Sequence, residues 1–379
     1  MAGVFLPRVY AQAKPVAVIP FELLNGSIVL KVKINDYPRP LRLLFDTGAD
    51  GMAVDKLLAD SIGLKISRSH EATVVGGSMK IDVSQGNTIT LEKGFQLKNQ
   101  GIAIFPQMSK DVDGLIGNKM TQDYVVKVDF NRAELSLYSF DNYEQEKGST
   151  VIPFTIPEGL FIIPGIINVV KGQSHRGNFV FDTGANYNLI CFRPFVRQNK
   201  LLVSGFKSEY QTSTVSMGVN SPTFNGNSDS FSFANTPPLQ NMPVTLMAGG
   251  GQNESWNPGF DGSIGMGIIS RYNFIIHRKK QEIYLTPNHS YNYPFDFKLG
   301  IYIFRFNLKG QLEVQGLIAP ETQDTLARGT IITRINDVDV SLFLKDAKYL
   351  DGLKNVAPHS IIRVEYLKGN KKETLSLPK

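Results

Sequence analysis

The feature that most limits how this chain can fold is a pentapeptide written twice: Phe45-Asp46-Thr47-Gly48-Ala49 returns 136 residues later as Phe181-Asp182-Thr183-Gly184-Ala185. One Asp-Thr-Gly is weak evidence, since a chain of 379 residues meets that tripeptide by chance roughly one time in ten. A repeated pentapeptide is a different matter. Each copy ends an apolar run, Leu43 to Phe45 and Phe179 to Phe181, and more apolar residues follow. Each carboxylate is therefore predicted on a tight turn between two strands. Two such turns brought face to face would place two carboxylates in one site.

The repeat extends beyond the pentapeptide. Val18-Ile19-Pro20-Phe21 is echoed by Val151-Ile152-Pro153-Phe154 at an offset of 133, and Asp113-Gly114-Leu115-Ile116-Gly117 by Asp261-Gly262-Ser263-Ile264-Gly265 at an offset of 148. Residues 124–137 then align without gaps on 272–285. Landmarks in the same order argue for a duplicated unit of roughly 135 to 150 residues. The chain divides into a leader (1–14), two halves (15–145 and 146–288) and a C-terminal stretch of different texture (289–379), with polar connectors at 142–150 and 286–293.

Within the first half, Val54, Leu57, Leu58 and Ile62 keep helical spacing, so a helix is predicted over 53–62 with Gly63 as its stop. Residues 72–81 read as a hairpin turning at Gly76-Gly77. The corresponding part of the second half, 210–255, is rich in Ser, Asn and Gly and is expected to be a flexible loop. Its Gly249-Gly250-Gly251 lacks the Gly-Lys-Ser/Thr of a phosphate loop. The C-terminal stretch offers strands near 299–304, 312–318 and 329–336, a helix near 342–353 and a hairpin through Lys368-Gly369-Asn370.

Composition narrows the function classes. Short Val/Ile/Phe/Tyr runs among 34 Gly and 20 Pro predict a mainly β protein. The net charge of +6 is modest for this length, and its concentrations at 277–280 and 368–372 have no interleaved aromatics, so nucleic acid is not an expected partner. No apolar run reaches the length of a membrane span. Cys191 is the single cysteine, which excludes an intramolecular disulfide, and its apolar neighbours predict a buried core residue. The five histidines, at 70, 175, 277, 289 and 359, are scattered and form no His-Glu-x-x-His, so neither a metal nor another cofactor is expected. At the start, Ala11-Gln12-Ala13 suits signal peptidase before Lys14, but a basic start and a full apolar middle are missing. The leader is expected to be either a truncated signal peptide or only a disordered leader.

With its doubled Asp-Thr-Gly-Ala and the later Leu115-Ile116-Gly117 and Ser263-Ile264-Gly265, the chain resembles the aspartic peptidases, in particular the retroviral-type units of bacterial proteins. The resemblance covers about residues 15–288 and implies a bilobal, pseudo-twofold pair of β-barrel halves, with the Leu115 and Ser263 strands passing behind the active loops. Both halves lie in one chain, so oligomerisation is not required to assemble the pair. By position, Asp46 and Asp182 would be catalytic, Thr47, Gly48, Thr183 and Gly184 would support the loops, and Gly76 and Gly77 would belong to a flap. Residues 295–379 resemble a PDZ domain, with Leu299-Gly300-Ile301 placed to receive the carboxylate of a protein C-terminus beside a strand at 301–304. Lys298 and Asn336-Asp337 depart from the usual PDZ residues. A peptidase followed by a PDZ domain implies a periplasmic, cell-envelope or secreted bacterial protein acting on polypeptides.

The chemistry follows from the paired acids. Two carboxylates a few ångströms apart do not both ionise cheaply, so one keeps a proton and the pair titrates as a unit. The ionised member can take a proton from a water while the protonated one donates to the scissile carbonyl. The alternative of another class is a catalytically inactive peptide-binding or scaffold protein of the same fold. Hydrolysis of an unstructured protein separates the two.

Overall fold

A computed structural model describes residues 14–108, 111–248, 255–319, 322, 325–346, 348–354, 356–357 and 360–378. The leader up to residue 13, Gly249-Gly250-Gly251 and His359 lie outside the described residues. Among the described residues the strands form four sheets, so the chain is mainly β.

The apolar runs that carry the pentapeptides are strands at the centre of two sheets. Leu41–Phe45 pairs in parallel with Gly114–Ile116, which pairs antiparallel with Met52–Asp55, which in turn pairs in parallel with Gln96–Phe105. In the other sheet Ser174–Phe181, Gly262–Ile264, Leu189–Cys191 and Leu239–Met247 are paired in the same order and senses. The residues of Gly114–Ile116 and Gly262–Ile264 are all buried, as a strand flanked on both edges and covered on both faces requires. Cys191 is buried in one of these strands.

A third sheet joins the two. Its order is Ala17–Pro20, Glu134–Tyr138, Val125–Asp129, Tyr272–His277, Glu282–Pro287, Thr150–Pro153, so equivalent strands of the sequence repeat lie symmetrically about a central seam. There Val126 faces Ile276 and Val128 faces Phe274. Phe274 also packs edge-on against Phe181 at 5.2 Å between ring centroids. One apolar core, running from Phe45 through Phe130 to Phe181, thus continues across the seam.

Several sequence-based expectations are corrected. The helix expected over 53–62 begins later, at Lys56–Ile62, because Met52–Asp55 has strand neighbours on both edges and their ladder outweighs a short helical periodicity. Asp55 caps it, accepting from the Leu58 amide at 2.8 Å, and Gly63 ends it with φ of 78°. The hairpin turns at Val75-Gly76 instead of Gly76-Gly77, with Gly77 already paired to Val74 and φ of 91° at Gly76. The flexible loop expected over 210–255 is largely three long strands, Tyr210–Ser216, Val219–Phe233 and Leu239–Met247. Ser and Thr lie well in a half-buried pleat, and their alternation there was masked by their polarity.

The C-terminal stretch forms its own sheet over a separate core that includes Phe304, Val314, Ile335 and Ile362. The helix expected near 342–353 is split into a 3₁₀ turn, Val340–Leu344, and a helix, Lys348–Lys354. The hairpin at Lys368-Gly369-Asn370 is found as expected, Lys368 facing Lys371. The expected peptide slot is not open. Tyr302–Phe306 is flanked by Leu312–Leu317 on one edge and by the chain's own Phe297–Leu299 on the other, with Leu299 facing Tyr302. Gly300 and Ile301 therefore make the two-residue turn of a hairpin, Gly300 at φ of 57°, and a peptide strand joins beside 301–304 only by displacing Phe297–Leu299.

Candidate active site

The two pentapeptide turns meet. The Thr47 amide donates to Thr183 Oγ1 at 3.0 Å and the Thr183 amide donates to Thr47 Oγ1 at 2.9 Å. Each hydroxyl then donates across the seam to the carbonyl before the opposite aspartate, Thr183 to Phe45 O at 2.8 Å and Thr47 to Phe181 O. Both threonines are buried, so these four bonds satisfy groups that have no access to water.

The glycines set the closeness of approach. A Cβ on Gly48 would lie 2.6 Å from the Asp182 carboxyl, and one on Gly184 would lie 2.3 Å from the Asp46 carboxyl. Either methyl would drive the aspartates apart. Instead each glycine amide donates to the carboxyl two residues before it, Gly48 to Asp46 Oδ1 at 2.8 Å and Gly184 to Asp182 Oδ1 at 3.0 Å.

The Asp46 and Asp182 carboxyls line a cavity of about 2080 Å³ that extends to Ile303 and Phe343 of the C-terminal sheet. Each keeps some area toward the cleft and is otherwise surrounded by protein. Burial, then the neighbouring Asp182 charge, raises the Asp46 carboxyl well above the usual carboxylate range, against the Gly48 amide. Burial also raises Asp182, but donation from Ser263, Gly184, Asp46 and Ala185 opposes it. Both carboxyls are thus pushed up by burial, and the pair titrates as a unit.

Behind the loops, Gly117 and Gly265 permit close passage: a Cβ would lie 2.3 Å from Ala49 O at the first and 2.4 Å from Tyr187 O at the second. Two hairpins overhang the cleft. The tip residue Val75 packs toward Ile190, Phe192, Met247 and Trp256 of the second half, whereas Met217, at the tip of the hairpin Tyr210–Ser216/Val219–Phe233, packs toward Ala53, Ile81 and Leu115 of the first. The tips touch where the Val75 amide meets Ser216 Oγ at 3.4 Å. Gly76 is held to its identity there, since a Cβ would lie 2.3 Å from Ser221 Oγ. Gly77, next in the returning strand, is buried. Leu299, Gly300 and Ile301 belong to the C-terminal hairpin and contribute nothing to the lining of the cavity that holds the two aspartates.

Four contributors to this site were not read from the sequence. Asn118 donates to Thr47 O at 2.9 Å and to Gly159 O at 3.0 Å. Ser263 donates to Asp182 Oδ2 at 2.8 Å, and the Tyr187 hydroxyl donates to Ser263 Oγ at 3.1 Å. Arg305, from the C-terminal sheet, reaches Asn186 O at 2.6 Å. Comparing the two copies of the repeat carries the signal for two of them, because Ser263 stands where the first copy has Leu115 and Tyr187 where it has Gly51.

The threonine lattice gives a direct prediction. Thr47→Val leaves the Thr183 amide and Phe181 O unpaired in a dry seam and is expected to cost about 2–5 kcal/mol of stability. Thr47→Ser retains the hydroxyl and should remain within about 1 kcal/mol of the parent. Urea unfolding of both variants measures the difference, and equal midpoints for the two would remove the lattice from the account.

Among curated proteins, none matches the chain. Among solved structures, that of an aspartic proteinase from Irpex lacteus is similar over 72% of this chain and 97% of that one, at 15% identity and a TM-score of 0.45. Residues 30–120, a span holding the first aspartate, its threonine and glycine and the first hairpin, match the family model described as aspartyl protease.

Proposed function

We propose that the protein is an aspartic endopeptidase in which Asp46 and Asp182, one from each copy of a duplicated unit, activate a water to hydrolyse a peptide bond. The observation that carries this reading is the crossed arrangement of the two loops, each glycine admitting the opposite carboxyl and each threonine bonded across the seam. The family match over 30–120 supports it. Asp182 acts as the base that draws a proton from the water, and Asp46 donates its proton to the carbonyl oxygen as the tetrahedral intermediate forms. Thr47, Gly48, Thr183 and Gly184 hold the carboxyls in place, and the two hairpins close over an extended polypeptide. The cavity runs from the two aspartates past Val75 and Met217 at the tips of both hairpins, which favours a substrate of several residues.

The C-terminal, PDZ-like sheet serves in this reading as a brace for the second loop, supported by the Arg305 contact to Asn186 and by the filled strand slot. The test is hydrolysis of an unfolded protein by the purified chain. Activity is expected to persist with chelators and with thiol reagents, because the dyad needs no metal and Cys191 is buried, its thiol pushed up by burial. Loss of activity with a chelator and its return with added zinc would overturn the reading. An absence of cleavage under all conditions would leave a peptide-binding scaffold.

A further inference from the structure

The two halves supply their carboxyls with different surroundings. Asp182 Oδ1 accepts from the Gly184 amide and its Oδ2 accepts from Ser263, whose hydroxyl in turn accepts from Tyr187. Asp46 Oδ1 accepts from the Gly48 amide, but the residues equivalent to Ser263 and Tyr187 are Leu115 and Gly51, which carry no side-chain donor. Ser263 is buried in the middle of a strand flanked by Ser174–Phe181 and Leu189–Cys191, a position where a hydroxyl costs stability unless it is bonded. Leu115, flanked in the same way by Leu41–Phe45 and Met52–Asp55, is the apolar residue that such a strand ordinarily carries.

A serine hydroxyl has one hydrogen to give. Here it goes to Asp182, so the Tyr187 hydroxyl must be the donor to Ser263, and both hydrogens of the chain point toward the carboxylate. Such a chain favours negative charge at its end, and each bond polarises the next. Burial raises the Tyr187 phenol well above its ordinary value, so it keeps the hydrogen that the chain needs. The titratable groups facing Asp182 are Asp46 from the opposite loop and Tyr187. Arg305, which reaches the Asn186 carbonyl nearby, is paired with Asp296.

We propose that the Tyr187–Ser263 hydrogen-bond chain is the device that divides the roles of the two aspartates, holding Asp182 as the ionised base and leaving Asp46 as the protonated acid. Ser263 and Tyr187 are thus positioning residues, acting through Asp182. This rests on the peptidase reading for its catalytic meaning, although the protonation states can be observed without any turnover.

The experiment is a pH titration of the intact protein with 13C-labelled aspartate carboxyls, followed by NMR, with Asp46→Asn and Asp182→Asn spectra assigning the two signals. In the parent protein the lower step should belong to Asp182. Ser263→Ala removes a donor to the charged form, destabilises it, and should move the lower step up by about one to two pH units. Ser263→Thr should restore the parental value, and Tyr187→Phe should move the step in the same direction by less. A merely structural role for Ser263 would change stability without moving the step. The proposal is overturned if the lower step stays in place in Ser263→Ala, or if it proves to belong to Asp46. Should Ser263→Ala fail to fold, an unmoved step in Tyr187→Phe overturns it equally. Cleavage of an unfolded protein, measured in parallel, reports separately on the peptidase reading: absent turnover in the parent refutes that reading while the titration still decides the chain's role.

Discussion

Turnover in the Asp46→Asn protein is expected to fall about a thousandfold or more, and equally in Asp182→Asn, with the fold retained in both. The amide is nearly isosteric with the carboxyl and can still accept from the Gly48 or Gly184 amide, so the loops keep their hydrogen bonds. What is lost differs between the two. The Asp182→Asn protein has no basic oxygen at that position to draw a proton from water, whereas the Asp46→Asn protein has no acidic proton to hand to the carbonyl. Neither remaining carboxyl can fill both roles, so the two losses should be similar in size. The parent should show a bell-shaped pH dependence, falling at low pH as Asp182 takes up a proton and at higher pH as Asp46 releases its own. Because burial and the Asp182 charge raise Asp46, the upper limb belongs above the usual carboxylate range. Steady-state cleavage of an unfolded protein, with circular dichroism to verify the fold, checks this. Retained turnover in either folded variant would sink the dyad assignment.

Arg305→Met is expected to destabilise the protein by about 3–5 kcal/mol, the scale for stripping one partner from a buried ion pair. Arg305 and Asp296 are 11% and 13% exposed, and the guanidinium grips the carboxylate through both Nε, at 2.8 Å, and Nη2, at 2.7 Å. The same Nη2 holds Asn186 O, four residues beyond Asp182 in the second aspartate loop. Removing the guanidinium therefore strands a buried carboxylate and leaves the Asn186 carbonyl with the longer bond from Gln315 Nε2, at 3.4 Å. The double variant Asp296→Leu/Arg305→Met removes both charges and should recover much of the loss. Urea unfolding at neutral pH measures it. A loss below about 0.5 kcal/mol for the single variant would show that the C-terminal sheet merely rests against the site. Arg271 adds a second tie, donating to the carbonyls of Tyr291 and Tyr293 at 2.8 and 2.7 Å and lying over the Phe295 ring, so residues 291–295 are clasped by the second half.

By itself the sequence determined the pairing of the aspartates. A pentapeptide that recurs in register carries its own local chemistry: apolar strand, acid, turn-forming glycine. Those are short-range properties, and the same holds for the Gly63 helix stop, the buried Cys191 and the hairpin at Gly369. Tertiary structure decided what depends on distant partners. Whether residues 52–55 join a helix or a strand was settled by neighbours at 102–105 and 114–116, and the long hairpin at 210–233 by a sheet that accommodates its polar alternation. The peptide slot expected beside 301–304 was closed by a strand five residues before it, a pairing that apolar patterning leaves free to form or not. The inequality of the two carboxyls belongs to the same class. The sequence displays Ser263 and Tyr187 as exchanges against Leu115 and Gly51, but a hydroxyl 76 residues from its donor and 81 from its acceptor becomes a relay only when the sheet brings the three together. Hydrogen bonds act over about 3 Å and have no signature in local propensity, so their partners are decided by the fold.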